Sequence, residues 1–118
     1  MRVTEAVGRF GEQVAADHLT AAGLEVLDRN WRCDVGEIDL VAADGDELVV
    51  VEVKTRRSVA YGTPAEAVTW RKLARLRRLA AAWLVAHDAR PRSVRIDVVA
   101  VTVSGRGAPQ VEHLIGVV

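Results

Sequence analysis

The stretch Glu47-Leu48-Val49-Val50-Val51-Glu52-Val53-Lys54-Thr55 decides how the rest of the chain is read. It is apolar and rich in β-branched residues. Asp44-Gly45-Asp46 bounds it before and Arg56-Arg57-Ser58 after, so it reads as a buried strand. Two charges, Glu52 and Lys54, interrupt its end. They are two residues apart and on a strand share one face. An acid and an amine there are costly to bury without partners. They therefore either pair with each other as a structural ion pair or belong to a site.

Working outward, residues 36–43 form a preceding strand, and the Asp44-Gly45-Asp46 turn makes the two a hairpin. With Gly45 and Asp46 as the loop, Asp39 stands opposite Glu52. With Asp44 and Gly45 as the loop, Glu37 does. Either register sets two acids across from each other at ~5 Å between Cβ atoms, where like charges repel and a bound cation would resolve the conflict. Residues 25–33 read as a further strand. Residues 4–22 read as an amphipathic helix with Val7, Phe10, Val14, Ala15, Leu19 and Ala22 on its stripe and Gly23 closing it. Gly8 and Gly11 inside that helix each cost roughly 1 kcal/mol relative to Ala, which points to close approach by another element. Glu12 lies at the stripe's margin, where pattern alone reads it as an exposed helix acid.

On the other side, Thr63-Pro64-Ala65-Glu66 is a capping box with proline at the first helical position, a sufficient role for Glu66. The helix it opens runs to about His87 and buries Leu73, Leu76, Leu79, Ala80, Trp83 and Leu84. Arg71, Lys72, Arg75 and Arg78 gather on its other side. No acid occurs in 71–78 to neutralise them, so the cluster reads either as a solvated face or as one that meets phosphate. A strand over 94–103 and an edge strand over 110–115 follow. The order αβββαββ predicts an α/β or α+β sandwich with a mixed sheet, one domain spanning 1–118.

Composition narrows the class. The chain has 118 residues, half of them hydrophobic and with zero formal net charge, enough for one modest core and too apolar for disorder. No apolar run is long enough to span a bilayer, and Met1-Arg2-Val3-Thr4-Glu5 lacks a signal region. The lone Cys33 excludes an internal disulfide. The expectation is a soluble cytoplasmic protein. Charge is asymmetric: eleven acids lie in residues 1–50, and twelve of the sixteen bases lie in 51–118. Such a split suits a surface that meets an anionic polymer. His18, His87 and His113 are scattered without ligand spacing, and no Walker A, G-x-S-x-G or dinucleotide motif occurs.

What remains is Asp39, Glu52 and Lys54. Converging carboxylates suit a hard divalent cation, and an adjacent lysine can orient or deprotonate water or stabilise a pentavalent phosphorus. E-x-K alone is weak; joined to an acid at the same end of a hairpin it is more specific.

Gly36-Glu37-Ile38-Asp39-Leu40-Val41 followed by Val49-Val50-Val51-Glu52-Val53-Lys54-Thr55-Arg56 resembles the bacterial YraN-type family. That family is grouped with the PD-(D/E)xK nuclease-like proteins, related to archaeal Holliday-junction resolvases and restriction endonucleases. The likeness extends to Gly8-x-x-Gly11-Glu12, Asn30-x-Arg32, Tyr61-Gly62-x-Pro64, Lys72 and Ile96-Asp97-Val98-Val99, nearly the whole chain. It implies a restriction-endonuclease-like αβββαβ core, with a mixed sheet flanked by helices. It also implies nuclease-type machinery, and the expectation built on it is a metal-dependent endonuclease acting on DNA, branched or damaged, in recombination or repair. Asp39 and Glu52 would be the metal carboxylates, joined by the Val53 carbonyl, with Mg2+ or Mn2+ as the cofactor. Lys54 would be the catalytic lysine, and Glu12 the first-helix glutamate that completes the site. Arg56, Arg71, Lys72, Arg75 and Arg78 would meet nucleic acid. Ile38 stands where the nominal motif has proline, as the family's own G-E-I-D pattern has it. Related resolvases act as two-fold dimers, which would let a homodimer address two strands. The competing expectation is a non-catalytic nucleic-acid-binding or scaffold protein that retains the fold.

Overall fold

The computed structural model describes residues 3–57 and 68–117. Their elements run α1 (Val3–Ala21), β1 (Glu25–Cys33), β2 (Gly36–Asp44), β3 (Glu47–Arg56), α2 (Trp70–His87), β4 (Ser93–Thr102) and β5 (Gln110–Leu114). The strands make one five-stranded sheet in the order β1-β2-β3-β4-β5. Neighbours are antiparallel except β3 and β4, which run parallel with α2 in the connection between them. This is the expected α/β architecture: a mixed sheet flanked by two helices.

β3 is central and covered on both faces, which is why it reads as a near-continuous apolar run. Val49 and Val51 pack with Leu40, Ala42, Val99 and Val101 against Ala15, Ala16 and Leu19 of α1. Leu48 and Val50 pack with Ile38, Val41 and Ile96 against Leu76, Leu79, Ala80 and Trp83 of α2. Glu52 and Lys54 continue the α2-facing row of β3, so the parity argument holds. The hairpin takes the first of the two registers, with Asp44 paired to Glu47 and Leu40 to Val51.

α1 closes with Gly23 at a φ of 94° and the Leu24 N–H returning to the Leu19 carbonyl at 2.9 Å. Its two internal glycines differ. A Cβ on Gly11 would run into the Thr55 side chain, so α1 crosses β3 there at a distance only glycine allows. Gly8 faces open space, and no close approach explains it. Phe10 departs from the expected stripe: it is 47% exposed. With Gly11 turned onto β3, the residue before it points about 100° away around the helix.

α2 starts later than the capping box suggests. Thr69 has extended backbone, and its hydroxyl accepts from the Lys72 N–H at 3.2 Å, which makes it the N-cap. Thr63-Pro64-Ala65-Glu66 lies outside the described residues.

Candidate active site

At the β2–β3 hairpin's open end the strands stop pairing after Leu40 and Val51. Ile38 and Leu40, two residues apart, go to opposite core layers, so the alternation of β2 is interrupted at Asp39. Its carboxylate takes over the ladder: Oδ2 accepts from the Val53 N–H at 2.8 Å. That bond sets Asp39 beside Glu52, as the register requires, and brings Val53 into the site through its N–H.

Acids from three elements surround Asp39. Glu12 arrives on α1, placed by the Gly11–Thr55 crossing. Glu37 lies on β2 and Glu52 on β3. Asn30, at a φ of 50° on β1, ties two of them together. With its amide nitrogen turned toward the carboxylates, the orientation that satisfies both ends of the group, it donates to Glu37 at 3.1 Å and Glu12 at 3.2 Å. Burial, reinforced by the charges of Glu12, Glu52 and Glu37 and only partly opposed by the Val53 N–H, pushes the Asp39 carboxyl up to about 6. Burial also pushes Glu12 above the ordinary carboxylate range, with Asn30 opposing and Glu37 adding to it.

Cations approach from α2. Lys72 Nζ is 3.7 Å from one Glu52 oxygen, and Arg75 is 3.8 Å from the other. Glu52 therefore does not pair with Lys54, and among the described residues Lys54 makes no salt bridge. It sits instead beside Lys72, which, together with burial, depresses the proton affinity of its amine. The basic face of α2 thus divides. Lys72 and Arg75 lean over Glu52, while Arg71 and Arg78 are exposed, Arg71 lying 6.0 Å over the Trp70 ring. Arg56 ends β3 on the same face as Lys54.

Asp39, Glu12, Glu37 and Glu52 are a set of carboxylate oxygens, the donor chemistry of Mg2+ or Mn2+ rather than of softer metals. Among the described residues no three ligating side chains stand close enough to form a ligand shell alone. Mg2+ is commonly held by one or two carboxylates, with water and substrate phosphate filling the rest. One or two of these carboxylates could hold such an ion, with water completing its shell, and a carboxyl raised by burial and by neighbouring charges is one whose ionised form a cation would favour.

Sequence reasoning did not assemble a second cluster. Asp97 is fully buried in β4, accepting from Arg95 at 2.9 and 3.0 Å, from the Gly116 N–H at 2.9 Å and from His113 Nε2 at 2.7 Å. Burial alone would raise its carboxyl, but Arg95, Gly116 and His113 together outweigh it and hold the group below the ordinary range. His113 Nδ1 in turn lies 3.3 Å from His18 Nε2. Two of the three histidines that look scattered, His18 and His113, meet here, joining α1 and β5 to β4. A charge within the run Ile96-Asp97-Val98-Val99, with an arginine two residues earlier on the same face, was the available signal.

Fold and site define the class: an α/β protein with acids and a lysine gathered at the end of its central strand. The chain belongs to the family described as "Uncharacterised protein family UPF0102", whose model matches residues 11–101. It is 64% identical over 117 residues to a UPF0102 protein of Beutenbergia cavernae, covering 99% of each chain. It is 63% identical over 118 residues to one of Kineococcus radiotolerans, covering 99% of this chain and 97% of that one. A UPF0102 protein of Frankia alni is 57% identical over 116 residues, with 98% and 97% covered. Among the described residues no helix is long and apolar enough to cross a membrane.

Proposed function

We propose that this protein is a Mg2+- or Mn2+-dependent endonuclease that hydrolyses phosphodiester bonds in DNA, branched or damaged, within the cytoplasm. One observation carries the reading: a half-buried carboxyl raised to about 6 among other acids lies at the same strand end as a lysine that has depressed proton affinity and, among the described residues, no salt bridge. A purely structural ion pair would do the reverse, joining Lys54 to Glu52 and lowering the acid.

Asp39 and Glu52, with Glu12 nearby, would hold the ion, which when bound supplies charge neutralisation at phosphate and a more acidic water. The Val53 N–H holds Asp39 in place. Lys54, its amine depressed beside Lys72, orients or deprotonates the attacking water and then faces the charge of the pentavalent phosphorus. Lys72 and Arg75 hold Glu52 in position, and their remaining donors would meet an incoming phosphate.

One observation favours a second reading, a non-catalytic nucleic-acid-binding protein: Glu52 has two cationic side chains, Lys72 and Arg75, as partners. An Mn2+-supported cleavage screen over duplex, flap, fork, four-way junction, single-stranded and RNA substrates separates the two. Wild type is expected to cleave at least one DNA substrate. Lys54→Ala should abolish cleavage with little loss of affinity, since its work is on water and the transition state. Undiminished cleavage by the alanine variant would remove Lys54 from the mechanism. Binding without cleavage by wild type on every substrate would leave the second reading.

A further inference from the structure

Four aromatic residues besides the histidines fall within the described residues, and they divide into two kinds. Trp83 is buried and its indole N–H donates to Asp28 at 3.0 Å; Trp31 packs against the α2-side core. Trp70 and Phe10 are not core: they are 77% and 47% exposed. An exposed tryptophan presents a large apolar ring to water, and here the ring also has an arginine over it.

Both exposed rings lie at the same end of the sheet. Phe10 precedes Gly11, whose backbone lies against Thr55, the residue after Lys54. Trp70 opens α2 two residues before Lys72, which reaches Glu52. The helices that carry them cover opposite faces of the sheet, so the two residues belong to opposite layers at this strand end. The Arg71 guanidinium lies over Trp70, and α2 contains no acid along its length.

We propose that Trp70 and Phe10 are stacking platforms for unpaired bases of a DNA strand whose backbone runs across the Asp39–Glu52–Lys54 site. Aromatic faces beside a cationic track are how single strands are held without sequence preference. Arg71 serves both parts, as a cation over the ring and as a phosphate partner. In continuous duplex the base faces are already stacked, so these rings find a base only where bases are unpaired, as in a single strand, a flap or the open centre of a junction. This rests on reading the neighbouring site as one for a phosphodiester, and it narrows the substrate class within that reading.

The test is binding by the whole chain in chelator, so that no cleavage intervenes. The probes are an oligothymidylate, a strand of equal length whose central sugars lack bases, and a blunt duplex of matching length. Wild type should bind the oligothymidylate roughly 5- to 100-fold tighter than the abasic strand, the range one stacked base confers. Trp70→Ala should erase most of that preference and Trp70→Phe keep it. Neither should change the slope of log K against log[salt], because every phosphate keeps its cation. Phe10→Ala should lower the preference by a smaller factor. Both sites are exposed, and thermal melts confirm that the variants fold. Equal affinity of wild type for the base-bearing and abasic strands overturns the proposal, as does a preference that survives both alanine substitutions. Cleavage in Mn2+ without base discrimination would sink the platforms and leave the nuclease; discrimination without cleavage would do the opposite.

Discussion

Asp39→Asn should stabilise the metal-free protein at neutral pH. The Asp39 carboxyl is pushed from 3.8 to about 6 in the folded chain. Between those values the folded protein holds a proton that the unfolded chain has released. Stability therefore falls as pH rises from about 4 through about 6 and levels off above. The gap is roughly two units, and at ~1.4 kcal/mol per unit it amounts to about 3 kcal/mol lost by pH 8. Asparagine cannot ionise, has nearly the same volume and keeps an oxygen that can accept from the Val53 N–H. The variant should match wild type near pH 4 and exceed it by ~2–3 kcal/mol at pH 8, on the order of 10 °C in Tm for a chain of this size. Taking the difference between the two proteins at each pH cancels the contribution of every other titrating group, except where one couples to Asp39. Adding Mn2+ should then raise wild type by about 2.7 kcal/mol at a hundredfold excess over Kd, and the variant much less. Thermal melts across this pH range, with chelator and with Mn2+, measure all of it. An Asn variant that melts below wild type at pH 8, beside a wild type indifferent to Mn2+, would refute the reasoning.

Three further outcomes follow from the same structure. Arg71→Ala with Arg78→Ala should flatten the plot of log K against log[salt] for duplex DNA by ~0.9 for each phosphate left without its arginine; an unchanged slope would mean a merely solvated face. Gly8→Ala should gain up to ~1 kcal/mol of stability through helix propensity, whereas Gly11→Ala should lose ~1–3 kcal/mol against Thr55 and recover part of it when Thr55→Ala is added; denaturant midpoints decide. Asp97→Ala should cost ~3–5 kcal/mol at pH 7, because it leaves the buried face of Arg95 short of its carboxylate and frees His113. Since the Asp97 carboxyl is held below its ordinary value, that loss should shrink as pH falls through the acid range, where wild type loses the same contribution.

The order of elements was legible in the sequence because each rests on a local signal: the Asp44-Gly45-Asp46 turn between β2 and β3, a continuous apolar run in β3, a 3.6-residue stripe in α2. The hairpin confined the acid facing Glu52 to two choices, Asp39 or Glu37. Residues that work through neighbours distant in sequence were not legible in this way. Periodicity placed Lys72 and Arg75 together on the open side of a helix, but only the crossing of α2 over β3 turned them onto Glu52. The stripe of α1 placed Phe10 in the core, and the Gly11–Thr55 crossing turned it out. His18 and His113 have no spacing that links them, and packing of α1 and β5 around buried Asp97 brings them within 3.3 Å. A side chain's parity and propensity belong to its own neighbours in the chain, so the sequence alone determined them. Its charge partner and its exposure depend on how whole elements cross, and only the tertiary structure decided those.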